Sequence, residues 1–307
     1  MKAAVWALVL LFPSLCWAAS EARSSDAGEM GELVTADWLH AHLDDDDLIV
    51  LDSSVLVLLD ENQQMSNVSG YQDFLEGHIP GARFADLLVA LSGTEARLAM
   101  PTPQAFATAL GELGIRNQDK IVVYSSAMHV WSARLWWMLK WIGHDRVAIL
   151  DGGLTAWRDA GYPVASDEVS TTRTQYQPRV RAELVSDQSA VRAAIQSPEI
   201  QLVDALPAAH YRGEFSLYGR AGHIPTAVNI SATELTDAHG RYRRGDELSV
   251  FVDLPRDKPV ITYCGGGVAA AATAFALRQA GVKDVSVYMG SLQDWLSNPD
   301  NPMTTDP

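Results

Sequence analysis

Short continuous apolar runs alternate along this chain with longer stretches in which apolar positions recur at helical spacing. Residues 48–52, 121–124 and 147–150 read as buried strands, and 131–142, apolar on every side, reads as a helix packed against a sheet. The same pattern returns later, with strands expected at 200–204, 260–263 and 285–288 and a helix at 269–280. Strands apolar on both faces, alternating with helices, belong to a parallel sheet covered on both sides, so the expected fold class is α/β.

The two halves also match in their motifs. Gly77-His78-Ile79-Pro80-Gly81-Ala82 returns as Gly222-His223-Ile224-Pro225-Thr226-Ala227, and Ile121-Val122-Val123-Tyr124 returns as Val260-Ile261-Thr262-Tyr263. Asp151-Gly152-Gly153-Leu154 followed by Trp157 is matched by Met289-Gly290-Ser291-Leu292 followed by Trp295. Three matches in one order at nearly constant spacing indicate two copies of one domain. The stretch 166–181, polar and rich in Thr and Arg with Pro178, has the composition of a linker. Domains are therefore expected at 31–165 and 182–302, with an irregular tail beyond 298. A signal peptide is expected at 1–19: the apolar run 3–12 follows Met1-Lys2, stops at Pro13, is too short to span a bilayer and precedes Ala18-Ala19-Ser20. That predicts a periplasmic or secreted protein with no membrane attachment after processing.

The composition, 48% hydrophobic and 20% charged, suits globular domains, and 307 residues are enough for two. A net charge of −15 argues against nucleic acid as a partner. The two cysteines, Cys16 and Cys264, build no disulfide framework, and removal of the leader would take Cys16 with it. A lone Cys264 in an oxidising compartment is either buried and inert or kept for its chemistry.

Its neighbours decide between these. In Tyr263-Cys264-Gly265-Gly266-Gly267-Val268-Ala269-Ala270 a buried strand gives way to an alanine-rich helix through three glycines. Glycines let the backbone curl and turn its N–H groups inward, and the helix start adds free donors. Such a loop holds an anion, and a sulfur at its rim becomes nucleophilic. The loop lies beyond the strand C-terminus, where open parallel sheets bind ligands. Residues Gly265, Gly266, Gly267, Val268, Ala269 and Ala270 are accordingly candidates for holding substrate around Cys264.

The stretch 258–270, the paired Gly-His-Ile-Pro motifs and the 288–295 segment together resemble the rhodanese superfamily in its two-domain sulfurtransferase arrangement, over about residues 33–302. The loop is most similar to that of 3-mercaptopyruvate sulfurtransferases, with Gly266 in place of a serine. Thiosulfate sulfurtransferases usually carry Arg and Lys where this chain has Gly265 and Gly266. The resemblance implies two tandem rhodanese-like domains and transfer of a sulfane sulfur from 3-mercaptopyruvate or thiosulfate to cyanide or a thiol, through a persulfide on Cys264 and without metal or organic cofactor. It implies further that an anionic donor is held by cations ahead of the second Gly-His-Ile-Pro motif. The candidates are Arg212 and Arg220, with His210 standing at a family arginine position.

Ser125 occupies the Cys264 position of the first copy, where no glycine loop follows and no persulfide can form, so that domain is expected to be catalytically silent. A hydrolase built on Ser125 and His129 lacks a nucleophile elbow. Phosphatases of related fold need Arg at the end of their loop, where this chain has Ala270. His78 and His223, like Asp52 and Asp204, are read as structural. The tryptophans at 131, 136, 137 and 141 are read as core, and 44–47 as an exposed acidic turn. Arg241, Arg243 and Arg244 are read as a solvated loop. A persulfide carrier that loads once without turnover is the alternative to an enzyme.

Overall fold

The computed structural model describes residues 29–59, 61, 65–95 and 98–305. The expected signal peptide and Cys16 lie outside the described residues. From the N-terminus the chain runs through β1 (Leu33–Val34), α1 (Ala36–His42), β2 (Leu48–Asp52), β3 (Val55–Leu59), β4 (Met65–Ser69), α2 (Tyr71–Glu76), β5 (Arg83–Phe84), α3 (Pro103–Glu112), β6 (Lys120–Tyr124), α4 (His129–Trp141), β7 (Val147–Leu150) and α5 (Gly153–Asp159). It continues with β8 (Val185–Ser186), α6 (Gln188–Ile195), β9 (Gln201–Asp204), α7 (Ala208–Tyr211), β10 (Val228–Asn229), α8 (Gly245–Ser249), β11 (Val260–Tyr263), α9 (Val268–Gln279), β12 (Val285–Tyr288) and α10 (Ser291–Trp295).

Each half forms a five-stranded parallel sheet, in the orders β1-β7-β6-β2-β5 and β8-β12-β11-β9-β10. Element for element these are one topology, which is what the repeated motifs require. Among the described residues the first copy alone carries an insert, the antiparallel hairpin β3–β4 paired from Val55↔Ser69 to Leu59↔Met65. The linker stretch has no helix or strand, yet it is tied down: Arg179 and Arg181 donate backbone N–H groups to Ile142 and Trp141 carbonyls, and the Thr174 N–H donates to the Gly111 carbonyl.

The repeated residues do the same structural work in both copies. The His78 ring bonds the Phe74 carbonyl at 2.7 Å and stacks on Phe74, and the His223 ring bonds the Tyr211 carbonyl at 2.8 Å and stacks on Tyr211. His78 exchanges backbone hydrogen bonds with Ala165, and His223 does so with Thr304, so each turn clasps the end of its own domain. The Tyr124 and Tyr263 hydroxyls accept the N–H groups of Ile79 and Ile224. Asp52 and Asp204 end equivalent strands and accept from Ser54 and Leu206 N–H, both at 2.8 Å. The acidic turn is paired rather than bare: Lys120 bridges Asp45 and Asp47, and Arg146 reaches Asp47.

One hydrophobic core runs through both domains. Its centre is the contact of α4 with α9, where Trp136 meets Phe275 edge-on at 4.9 Å. Trp131, Trp136, Trp137 and Trp141 are all buried, each contributing about 2–3 kcal/mol by area. The N-termini of α1, α3 and α6 are capped by Thr35, Thr102 and Asp187. Those of α4 and α9 have no side-chain cap, which leaves their first N–H groups to the loops before them.

Two measurements test this account. Thr226 holds φ +70° at the position of Gly81 (φ +76°), a left-handed conformation that costs a β-branched residue about 1–2 kcal/mol. Thr226→Gly loses part of that gain to chain entropy and is expected to stabilise the protein by about 0.5–1 kcal/mol in urea unfolding. Burial pushes the Asp204 carboxyl up to about 7, with the Leu206 N–H opposing. Its contribution to stability is full below the unfolded value near 4 and is lost as pH rises towards 7, at no more than about 1.4 kcal/mol per pH unit. Asp204→Asn, which cannot ionise, should therefore gain on the wild type as urea titrations move from pH 4 to pH 7 and track it above that.

Candidate active site

Cys264 follows the end of β11 and Gly267 is the N-cap of α9, so four residues turn the chain from sheet to helix. Gly267 adopts φ +78°, and a Cβ there would lie 2.5 Å from the Met289 carbonyl oxygen, so only glycine fits. In this bend the Gly267 N–H points at Cys264 Sγ across 3.2 Å. The Cys264 N–H is held at 3.0 Å by Ser291 Oγ, which itself donates to the Tyr288 carbonyl and stands 4.0 Å from Sγ. Ser291 has φ +49° where the first copy has Gly153 at +55°, and its strained backbone keeps that hydroxyl under the sulfur. The carbonyls of Cys264 and Gly265 accept from Leu292 and Gln293, locking the loop to the start of α10. The bend therefore faces the sulfur, as the sequence suggests. Ser291 escapes sequence reasoning because its role depends on backbone direction; the Gly-to-Ser difference between the copies is its only trace.

Cys264 is only 3% exposed. The ring of Tyr218 lies against the Cα of Gly265, so close that it leaves no room for a Cβ. Burial drives the Tyr218 phenol well above its ordinary range, so it remains a donor at neutral pH. Behind Tyr218 stands His210, buried, in ring contact with Tyr218 and Phe215, and with neither ring nitrogen hydrogen-bonded. Burial pushes its imidazole down and keeps it neutral.

The charge beside the loop comes from the other domain. Arg134, on α4, is fully buried, and its Nη1 donates to the Gly266 carbonyl at 3.1 Å while Nη2 donates to the Leu98 carbonyl at 2.5 Å. Burial brings its guanidinium down to about 10, with Cys264 opposing that shift, so it is charged at neutral pH. Sequence reasoning passes over Arg134, although one arginine amid the buried face of an apolar helix is itself a signal.

The arginines expected to hold the donor are engaged elsewhere. Arg212 forms an exposed ion pair with Glu214 at 2.7 Å, and Arg220 donates to the Pro299 and Asn301 carbonyls, pinning the C-terminal tail. Arg244 pairs with Asp151 and Arg243 donates to the Glu234 carbonyl, so that loop too is bound rather than merely solvated. Val268 and Ala269 are half-buried in the first turn of α9; Ala270 is buried in it, and its carbonyl accepts from the Thr262 hydroxyl. In the first copy Ser125 Oγ accepts from the Ala127 N–H at 3.2 Å. A cavity of about 370 Å³, lined by Ser125, His129, Gly152, Asp237 and Tyr242, opens there. Burial pushes His129 down to about 4, and no hydrogen bond joins it to Ser125 among the described residues.

Known proteins resemble this chain along most of its length. The Rhodanese-like domain family matches residues 35–160 and 187–298, one match for each sheet. The probable 3-mercaptopyruvate sulfurtransferase of Pseudomonas aeruginosa is 35% identical over 285 residues, covering 89% of this chain and 98% of that one. The crystal structure of SseA from Escherichia coli, described among 3-mercaptopyruvate sulfotransferases, superposes with a TM-score of 0.77 at 33% identity, covering 85% of this chain and 99% of the other. EanB with ergothioneine covalently linked to its persulfide cysteine superposes with a TM-score of 0.78 at 25% identity, covering 89% of this chain and 70% of the other. With both sheets matched and relatives of this similarity along nearly its whole length, the chain belongs to the rhodanese family, as a two-domain sulfurtransferase.

Proposed function

We propose that the protein moves a sulfane sulfur from 3-mercaptopyruvate or thiosulfate to cyanide or a thiol by way of a persulfide on Cys264. The observation that carries this reading is the Gly267 N–H aimed at Sγ from a glycine bend at a helix start, which stabilises the thiolate that attacks the donor and that is returned when the sulfur leaves. The cysteine is free, and the relatives named above bear the names of enzymes that transfer sulfur.

With thiosulfate, the Cys264 thiolate attacks the outer sulfur, the S–S bond breaks and sulfite leaves with the electron pair. With 3-mercaptopyruvate the attack falls on the thiol sulfur, the C–S bond breaks, and the enolate of pyruvate takes up a proton. Cyanide then attacks the outer sulfur of the persulfide and leaves as thiocyanate, returning the thiolate; a thiol acceptor does so as its own persulfide. The Tyr218 hydroxyl, protonated at neutral pH and against Gly265, supports a role as hydrogen-bond donor to a substrate oxygen. The N-terminal domain is silent in this scheme, since a Ser125 hydroxyl forms no persulfide. The leader-like residues 1–19 support a periplasmic or secreted setting.

Intact-mass measurement after exposure to each donor is expected to show a gain of about one sulfur atom, lost again on adding cyanide, with repeated turnover in the steady state. Cys264→Ser should abolish both the gain and the turnover while leaving thermal unfolding within a few degrees of wild type, because the bend is held by backbone bonds. Wild-type turnover by that variant would overturn the mechanism, and loading without turnover would make the protein a sulfur carrier.

A further inference from the structure

Arg134 is a buried cation with no acid to balance it. Among the described residues it makes no ion pair; its partners are two carbonyl oxygens and, at 4.0 Å, Met289 Sδ, while its Nε has no acceptor. Burying a guanidinium in this way is costly unless an anion compensates it. Leu98, which offers its carbonyl to Nη2, takes φ +62°, a left-handed conformation rare for a bulky side chain.

What Arg134 grips shows where the anion is. A trans peptide directs its C=O and its N–H to opposite sides. The Gly266–Gly267 peptide gives its carbonyl to Arg134 Nη1 and, from its other side, its N–H to Cys264 Sγ. The contact is close: a Cβ on Gly267 would lie 3.0 Å from Nη1. The same bond that anchors the carbonyl therefore aims the N–H at sulfur.

The first copy supplies an internal control. Arg134 is the sixth residue of α4, and the sixth residue of α9 is Thr273, which donates to the Ile230 carbonyl. The domain that presents Cys264 thus receives a buried cation from its neighbour's helix, whereas the equivalent residue of α9 is a neutral threonine bonded within its own domain.

We propose that Arg134 is a positioning residue of the Cys264 site, contributed by the N-terminal domain, which fixes the Gly266–Gly267 peptide with its N–H on the sulfur and supplies the positive charge that balances a sulfur anion there. The proposal rests on the sulfur-transfer reading for its place in catalysis, but its electrostatic content does not. Among the described residues the Cys264 side of the loop also has the Tyr218 and Tyr263 phenols, both pushed up by burial, Asp204 at the end of β9, and, behind Tyr218, His210, which burial pushes down. None of these is a cation at neutral pH, and Arg134 supplies positive charge beside the loop.

The test compares Arg134→Met, which keeps the length and loses the charge, Arg134→Gln, which is neutral but retains a donor, and Arg134→Lys, which keeps the charge. Each is checked for folding by thermal unfolding. Alkylation of Cys264 is followed by peptide mass spectrometry with anionic iodoacetate and neutral iodoacetamide. A structural role for Arg134 leaves the ratio of the two rates unchanged; a charge at the sulfur sets it. The expected result is a ratio at least about threefold lower in a folded neutral variant and within about twofold of wild type in Arg134→Lys. Sulfur loading from thiosulfate should slow by about tenfold or more in the neutral variants, chiefly in kcat. A folded Met or Gln variant with the wild-type ratio overturns the proposal. If neither folds, Arg134→Lys decides, and collapse of its ratio in a folded protein overturns it equally. Cys264→Ser tests the sulfur-transfer reading separately, so the two failures are distinguishable.

Discussion

The packing of α4 against α9 is the constraint on which the molecule is built. Each helix covers a parallel sheet with one face and has a second apolar face that only the other helix can cover. Trp136 and Phe275 sit where those faces meet, and the core is continuous across the join. A single domain would leave this surface in water, so duplication and pairing are one solution to one burial problem. The join also carries Arg134 to the back of the Cys264 loop.

Duplication kept the framework and changed the loops. The histidine clasps, the tyrosine hydroxyls under the Gly-His-Ile-Pro turns and the strand-end aspartates recur with the same hydrogen bonds in both halves. At the strand-to-helix junction the halves part: a glycine bend with a sulfur in one, Ser125 bonded to its own loop in the other. Residues that hold a turn against its own domain are constrained by local packing in each copy, whereas a junction that faces a shared crevice is free to diverge once one site suffices.

The sheets, the duplication and the glycine bend were legible because they rest on local order: continuous apolar runs, repeated words and the conformational freedom of three glycines. The limits of β2, β7, β11 and β12 match expectation, while those of β6, β9, α4 and α9 differ by one or two residues, because terminal residues lack the full set of backbone hydrogen bonds and side-chain pattern alone does not mark where an element stops. The hairpin β3–β4 was not anticipated, since its second strand, Met-Ser-Asn-Val-Ser, is too polar to announce itself. Arg212 and Arg220 lie near the right motif, but an ion pair with Glu214 and the tail carbonyls claim them, and sequence proximity does not show which way a long side chain turns. Arg134 and Ser291 were illegible for the complementary reason. Each is brought to Cys264 from a distant segment, one across the domain boundary and one through the strand order.

The stretch between the domains has a dynamic consequence. Because it is stitched to α4's end by the Arg179 and Arg181 amides, and the domains share one core, it does not work as a hinge. Domain opening of the slow, millisecond kind would have to break that core. The segment bearing Tyr218, whose ring lies against Gly265 of the Cys264 bend, is flanked by Gly213 and Gly222 at positive φ. Rearrangements of such a surface segment belong to nanoseconds and microseconds and leave the shared core packed.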